Sequence, residues 1–75
     1  MARIDPQIIN KRLEKALTQI RKEADLTQID VAKRLKKPQS FVSKYETGER
    51  KLTVGDYLAV CEAIGIDPAK LINQL

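Results

Sequence analysis

The chain contains no histidine and a single cysteine, Cys61. Without histidine there is no zinc-finger ligand spacing and no histidine-based nucleophilic or general-base arrangement. One cysteine cannot form an intrachain disulfide, which suits a reducing compartment. The glycines are few and scattered, and none builds a phosphate-binding loop. No stretch approaches the about 18 consecutive apolar residues of a membrane span. The start, MARIDPQ, lacks the apolar run of a signal peptide, so the cytoplasm is the expected location. No segment alternates with period two over a useful length, which predicts no sheet. The acidic residues are spread as caps and surface partners rather than as a convergent pair. With no metal-ligand cluster either, no enzymatic activity, cofactor or small-molecule substrate is expected.

What is present is charge and helical periodicity. The 75 residues are 43% hydrophobic and 32% charged. They are expected to form one domain over 1–75, with its core in 6–75, near the lower size limit for a self-sufficient fold. The net charge of +4 is unevenly placed. Residues 33–51 hold seven basic groups (Lys33, Arg34, Lys36, Lys37, Lys44, Arg50, Lys51) against two acidic ones. The remaining residues hold seven basic groups against eight acidic ones, so the whole positive surplus lies in that one stretch.

The periodicity predicts five helices. Asp5-Pro6 reads as an N-cap followed by proline at the first helical position. Helix 1 then carries Ile9, Leu13, Ala16, Leu17, Ile20 and Ala24 on one stripe, with Lys11, Arg12, Lys15 and Lys22 opposite. It ends near Ala24-Asp25, and Leu26 drops into the core. Thr27 and Asp30 form a capping box for helix 2, whose apolar stripe is Val31, Ala32 and Leu35. Lys36-Lys37-Pro38 makes the turn, with Lys36 supplying the reversal in the left-handed region and Lys37 held extended by the following proline. Pro38 is read as the first residue of helix 3, in which Val42 and Tyr45 face inward and Gly48 follows the end. Thr53 and Asp56 form a second capping box. Helix 4 is expected to turn Val54, Tyr57, Leu58, Cys61 and Ile64 inward and to stop at Gly65. Asp67-Pro68 starts a short helix 5 carrying Leu71, Ile72 and Leu75.

Helices 2 and 3, joined by so brief a turn, must cross at a large angle. One face of helix 3 is thereby left free, and it holds Gln39, Ser40, Ser43 and Lys44. These side chains can hydrogen-bond base edges and phosphates. Basic charge concentrated on this same stretch is the electrostatic footprint expected for a double-stranded DNA partner. Lys36, Lys37, Arg50 and Lys51 are read as phosphate anchors rather than readers of sequence.

The ordered set Leu26-Thr27-Gln28, Val31-Ala32, Arg34-Leu35, Gln39-Ser40, Val42-Ser43-Lys44, Glu46 and Gly48, followed by Leu58 and Ala63-Ile64-Gly65-Ile66, resembles the Cro/phage-repressor type of helix-turn-helix domain. The resemblance covers about residues 10–72. It implies a compact all-α fold of five helices. It also implies a homodimer that places helix 3 of each copy in the major groove, at half-sites about 34 Å apart. By position, Gln39, Ser40 and Lys44 would read bases with Ser43 beside them. Gln28 would contact phosphate and brace Gln39, and Arg21 and Glu46 would form a buried ion pair. The chain departs from the family at Asp25 and Lys36 (usually glycine), at Lys37 (usually apolar) and at Pro38 (usually a Ser/Thr cap), so Gln39 or Ser40 is left to satisfy the first N–H groups of helix 3.

The function this implies is that of a sequence-specific transcriptional regulator on a palindromic operator. Repression is favoured over activation, because 75 residues leave no room for a ligand-sensing or catalytic domain. A restriction–modification controller, an antitoxin of the same fold and a protein-interaction module that does not read DNA are the alternatives. Phe41 has two readings, packing at the helix 2–3 junction or contact with a thymine methyl group. Cys61 is read as a core residue, with a redox sensor as the alternative. Leu71, Ile72 and Leu75 exceed what a small core needs and are assigned to a two-fold dimer contact.

Overall fold

Capping chemistry sets the helix ends in the computed structural model, which describes residues 4–75. Part of the irregular lead expected before helix 1, residues 1–3, lies outside the described residues, as does the same part of the expected domain. Helix α1 spans Pro6–Glu23, and the Asp5 side chain accepts from the Gln7 N–H at 2.9 Å. Helix α2 spans Gln28–Leu35 behind a complete Thr27–Asp30 capping box, and α4 spans Val54–Ile64 behind its counterpart at Thr53 and Asp56. Helix α3 spans Gln39–Thr47, and α5 spans Pro68–Ile72 with Asp67 as its cap. Among the described residues there is no strand.

Four of the helices end against a residue in the left-handed region: Asp25 (φ 58°), Lys36 (φ 57°), Gly48 (φ 88°) and Gly65 (φ 91°). After α1, the Leu26 N–H donates to the Arg21 carbonyl and the Asp25 N–H to that of Lys22. After α2, the Lys37 N–H donates to Ala32 and the Lys36 N–H to Lys33. Each is the pair of bonds that closes a helix around a left-handed residue. Asp25 and Lys36 adopt that conformation without the freedom of glycine. Pro38 departs from the sequence reading. It is the N-cap of α3, in extended geometry (ψ 155°), and the helix begins one residue later, at Gln39. Proline's fixed φ near −65° suits extended and helical backbone equally, so it could not determine which side of the boundary it occupies.

The core is built from Leu17 of α1, Val31 and Ala32 of α2, Phe41, Val42 and Tyr45 of α3, Tyr57, Val60, Cys61 and Ile64 of α4, and Leu71 of α5. α2 packs on α3 and α4, α1 on α3, and α4 on α5. Tyr57 ties the last pair together by donating its hydroxyl to the Pro68 carbonyl at 2.6 Å. The inward stripe of α4 is therefore 57–60–61–64. Val60 is fully buried, whereas Val54 and Leu58 are 76% and 47% exposed. Both candidate stripes of this apolar helix keep helical spacing, and packing against α2 and α5 selects between them. In α1, Ala24 is exposed as the C-cap residue, and Ile8 and Ile9 remain partly open to solvent. Among the described residues, no helix is long and apolar enough to cross a membrane.

Candidate nucleic-acid interface

The exposed side of α3 carries Gln39, Ser40 and Lys44, with Ser43 half-buried beside them. The opposite side carries Phe41, Val42 and Tyr45 into the core. No side chain caps α3, so neither Gln39 nor Ser40 serves as its cap, and the Phe41 N–H donates to the Pro38 carbonyl at 3.0 Å.

Behind this face runs a line of hydrogen bonds that starts at a buried charge. Arg21 donates from Nε to Glu46 Oε2 at 2.7 Å and from Nη2 to Oε1 at 3.1 Å, and its Nη1 donates to the Leu26 carbonyl at 2.8 Å. The pair is well buried, with side-chain exposures of 10% and 5%. The bond to Glu46 holds the Arg21 guanidinium in its charged form, above its ordinary range. Glu46 Oε1 also accepts from Gln28 Nε2 at 2.9 Å, and Gln28 Oε1 accepts from Gln39 Nε2 at 3.3 Å.

The direction of this line follows from the chemistry of its members. A guanidinium only donates and a carboxylate only accepts. Glu46 therefore requires the Gln28 amide to turn its nitrogen inward, which leaves the Gln28 oxygen facing Gln39. Gln39 must then commit one hydrogen of its own nitrogen to Gln28. Its second N–H and its carbonyl oxygen remain unused, which is the donor–acceptor couple that matches adenine N7 and N6 in the major groove. Gln28 itself is half-buried and occupied on both ends of its amide.

The basic residues are not equivalent in place. Lys36 is exposed at the left-handed turn. Lys51 reaches back across the fold to Glu14, 3.4 Å from Nζ to Oε2. Lys37 and Arg50, from the loops before and after α3, both lie over the Phe41 ring, at 5.6 and 4.7 Å from its centroid. Phe41 is 8% exposed and packs edge-on against Tyr45. It sits in the core rather than on the surface where a thymine methyl would meet it. Sequence reasoning missed this convergence of two cations on one ring. The three residues are separated along the chain, and nothing in the spacing signals that both loops fold toward the same side of α3.

Leu71 is 1% exposed and belongs to the core, which removes it from any contact with a partner. It is the buried residue of the five-residue helix α5, which packs on α4. Ile72 is 52% exposed and Leu75 partly so. Both line a groove of about 410 Å³ together with Ile4, Asp5, Ile8, Ile9 and Arg12. Cys61 is fully buried, and burial pushes its thiol up from the ordinary range, the condition of an inert core cysteine.

A family model described as helix-turn-helix matches residues 17–71. Among solved structures, an XRE-family like protein from Pseudomonas syringae pv. tomato str. DC3000 is 40% identical, with a TM-score of 0.88, over 91% of this chain and 83% of that one. The clp gene regulator ClgR from C. glutamicum shares the fold, with 21% identity and a TM-score of 0.81 over 88% of this chain and 86% of that one. No curated protein matches the chain. The matched region spans α2 and α3 and most of the core around them, and the chain belongs to the Cro/C1-type (XRE) helix-turn-helix family of DNA-binding transcriptional regulators.

Proposed function

We propose that the protein is a cytoplasmic repressor that binds a palindromic operator in double-stranded DNA as a homodimer. The observation that carries this reading is the orientation of Gln39, whose amide is held by Gln28 and still presents one donor and one acceptor outward. Ser40, Ser43 and Lys44 complete the base-reading face, and Lys36, Lys37, Arg50 and Lys51 contact the flanking phosphates. Gln28 acts mainly as the brace of Gln39, since both ends of its amide are engaged within the protein. Repression follows from occupancy, because a dimer seated over a promoter excludes polymerase without any further activity.

The second copy is assigned to the groove between α1 and α5. Ile8, Ile9, Ile72 and Leu75 supply apolar area, and Asp5 and Arg12 supply one charge of each sign beside it. An isologous contact would use this same patch on both copies, with Arg12 already donating to the Leu75 carbonyl of its own chain at 2.8 Å. Selection of bound duplexes from a random pool tests the whole reading. Two inverted half-sites with centres about one helical turn apart are the expected product. Recovery of no common sequence would defeat the proposal. Sedimentation gives the second arm: the wild type is expected to be dimeric at micromolar concentration and Ile72→Glu monomeric, and a wild-type monomer there would remove the α1–α5 contact.

A further inference from the structure

Two like charges gathered on one aromatic ring need a reason. Lys37 precedes α3 and Arg50 follows it, yet Lys37 Nζ and Arg50 Cζ both lie within cation–π range of Phe41. The ring is fixed in turn. It is buried, and Tyr45 meets it edge-on with centroids 5.7 Å apart and planes at 75°. Arg50 is held at two further points. Its backbone N–H donates to the Lys44 carbonyl at 3.1 Å, and its guanidinium lies 3.8 Å from the Asp56 carboxylate that caps α4. The Arg50 side chain nevertheless keeps 49% of its surface open. The negative π-cloud of the ring attracts each cation and limits how far its side chain can wander.

We propose that Phe41 is a positioning residue for DNA-backbone binding, its ring holding Lys37 and Arg50 as a two-cation clamp on one run of phosphates beside α3. This deepens the reading of α3 as the helix that enters the groove, and rests on it. Long basic side chains lose rotamer freedom when they bind an anion, and that loss weakens binding by about two- to tenfold for each chain immobilised. A ring that orders them beforehand recovers part of it. The clamp acts on affinity and not on base choice, because phosphates carry no sequence information.

The test is a comparison of wild type, Phe41→Leu, Phe41→Tyr, Arg50→Ala and the Phe41→Leu/Arg50→Ala double variant, each binding the selected operator and a scrambled duplex over a range of salt. Phe41→Leu is expected to weaken both duplexes by the same factor, about two- to tenfold, with the order of preferred bases unchanged. Phe41→Tyr retains wild-type binding, and adding Phe41→Leu to Arg50→Ala costs markedly less than it does in the wild type. A readout without DNA accompanies these. Ring current from Phe41 shifts the Arg50 side-chain protons upfield in the NMR spectrum of the free protein, and Phe41→Leu abolishes the shift. An equal cost of Phe41→Leu with and without Arg50 reduces the ring to packing and overturns the clamp. So do Arg50 protons at random-coil positions in the wild type. A wild type that binds no duplex is a different failure, since it removes the DNA reading itself and the clamp with it.

Discussion

At the scale of single residues, the consequence of the Arg21–Glu46–Gln28–Gln39 line is that the exposed Gln39 amide, proposed to read a base, inherits its orientation from a buried charge. Gln39→Ala is expected to relax preference at one base pair by about 1–3 kcal/mol. Gln28→Ala should relax the same base pair by a smaller amount, because it releases Gln39 without removing it. Competition with duplexes substituted at each position checks both, and effects at two different base pairs would break the link between the two glutamines. Glu46 also serves stability. Glu46→Ala leaves Arg21 charged and without its carboxylate at a site where only 10% of its side chain is exposed. Removing one partner of a buried pair costs about 3–5 kcal/mol, and denaturant unfolding measures it. A loss below about 1 kcal/mol, the range of an exposed pair, would mean that water reaches Arg21 freely in solution.

At the scale of elements, the helices are short and their ends decide much of their stability. Lys36 occupies the left-handed region that costs a non-glycine residue about 1–2 kcal/mol. Lys36→Gly relieves that strain while loosening the unfolded chain, so a net gain of about 0.5–1 kcal/mol is expected. If Lys36 contacts a phosphate as proposed, the same variant should lower the log–log salt slope of DNA binding by about 1. Gly48→Ala goes the other way. Its φ is 88°, and a Cβ there would lie 3.0 Å from a Glu14 carboxylate oxygen. A loss of at least about 1–2 kcal/mol follows from the backbone alone. Thermal unfolding of the two variants should move the midpoint in opposite directions. The helix boundaries themselves were legible in the residues, since Asp5, Thr27, Thr53 and Asp67 all cap as their types suggest. Pro38 and the inner stripe of α4 were not, because each was compatible with two local geometries and only packing chose between them.

At the scale of the whole molecule, the absence of histidine leaves no side chain whose ordinary range lies between the carboxylates and the thiol, and folding stability should be nearly flat from about pH 5 to 7. Below that plateau Asp30 contributes. The Thr27 backbone N–H donates to Asp30 and holds its carboxyl below the usual range. The stability it lends is present above about pH 4, its unfolded value, and is lost as pH falls through the lower folded value. Above the plateau burial raises the Tyr57 hydroxyl to about 12. The folded state then keeps a proton that the unfolded chain releases near pH 10. Stability from Tyr57 is therefore complete below about 10 and falls as pH rises through 12. Cys61, also raised by burial, begins the same loss nearer to pH 9. Urea unfolding at a series of pH values checks the profile, and a slope across neutrality would contradict it.

The arrangement of residues along the chain determined the five helices, the free face of α3 and the concentration of basic charge around it. All of these depend on neighbours within a turn or two, where spacing and side-chain type act directly. Only the tertiary structure decided that Gln28 turns its nitrogen to Glu46, that Lys37 and Arg50 meet over Phe41, and that Leu71 is core while Ile72 is surface. Each of these joins positions on different helices or loops. Their approach is set by how the packed helices cross, which local pattern does not encode.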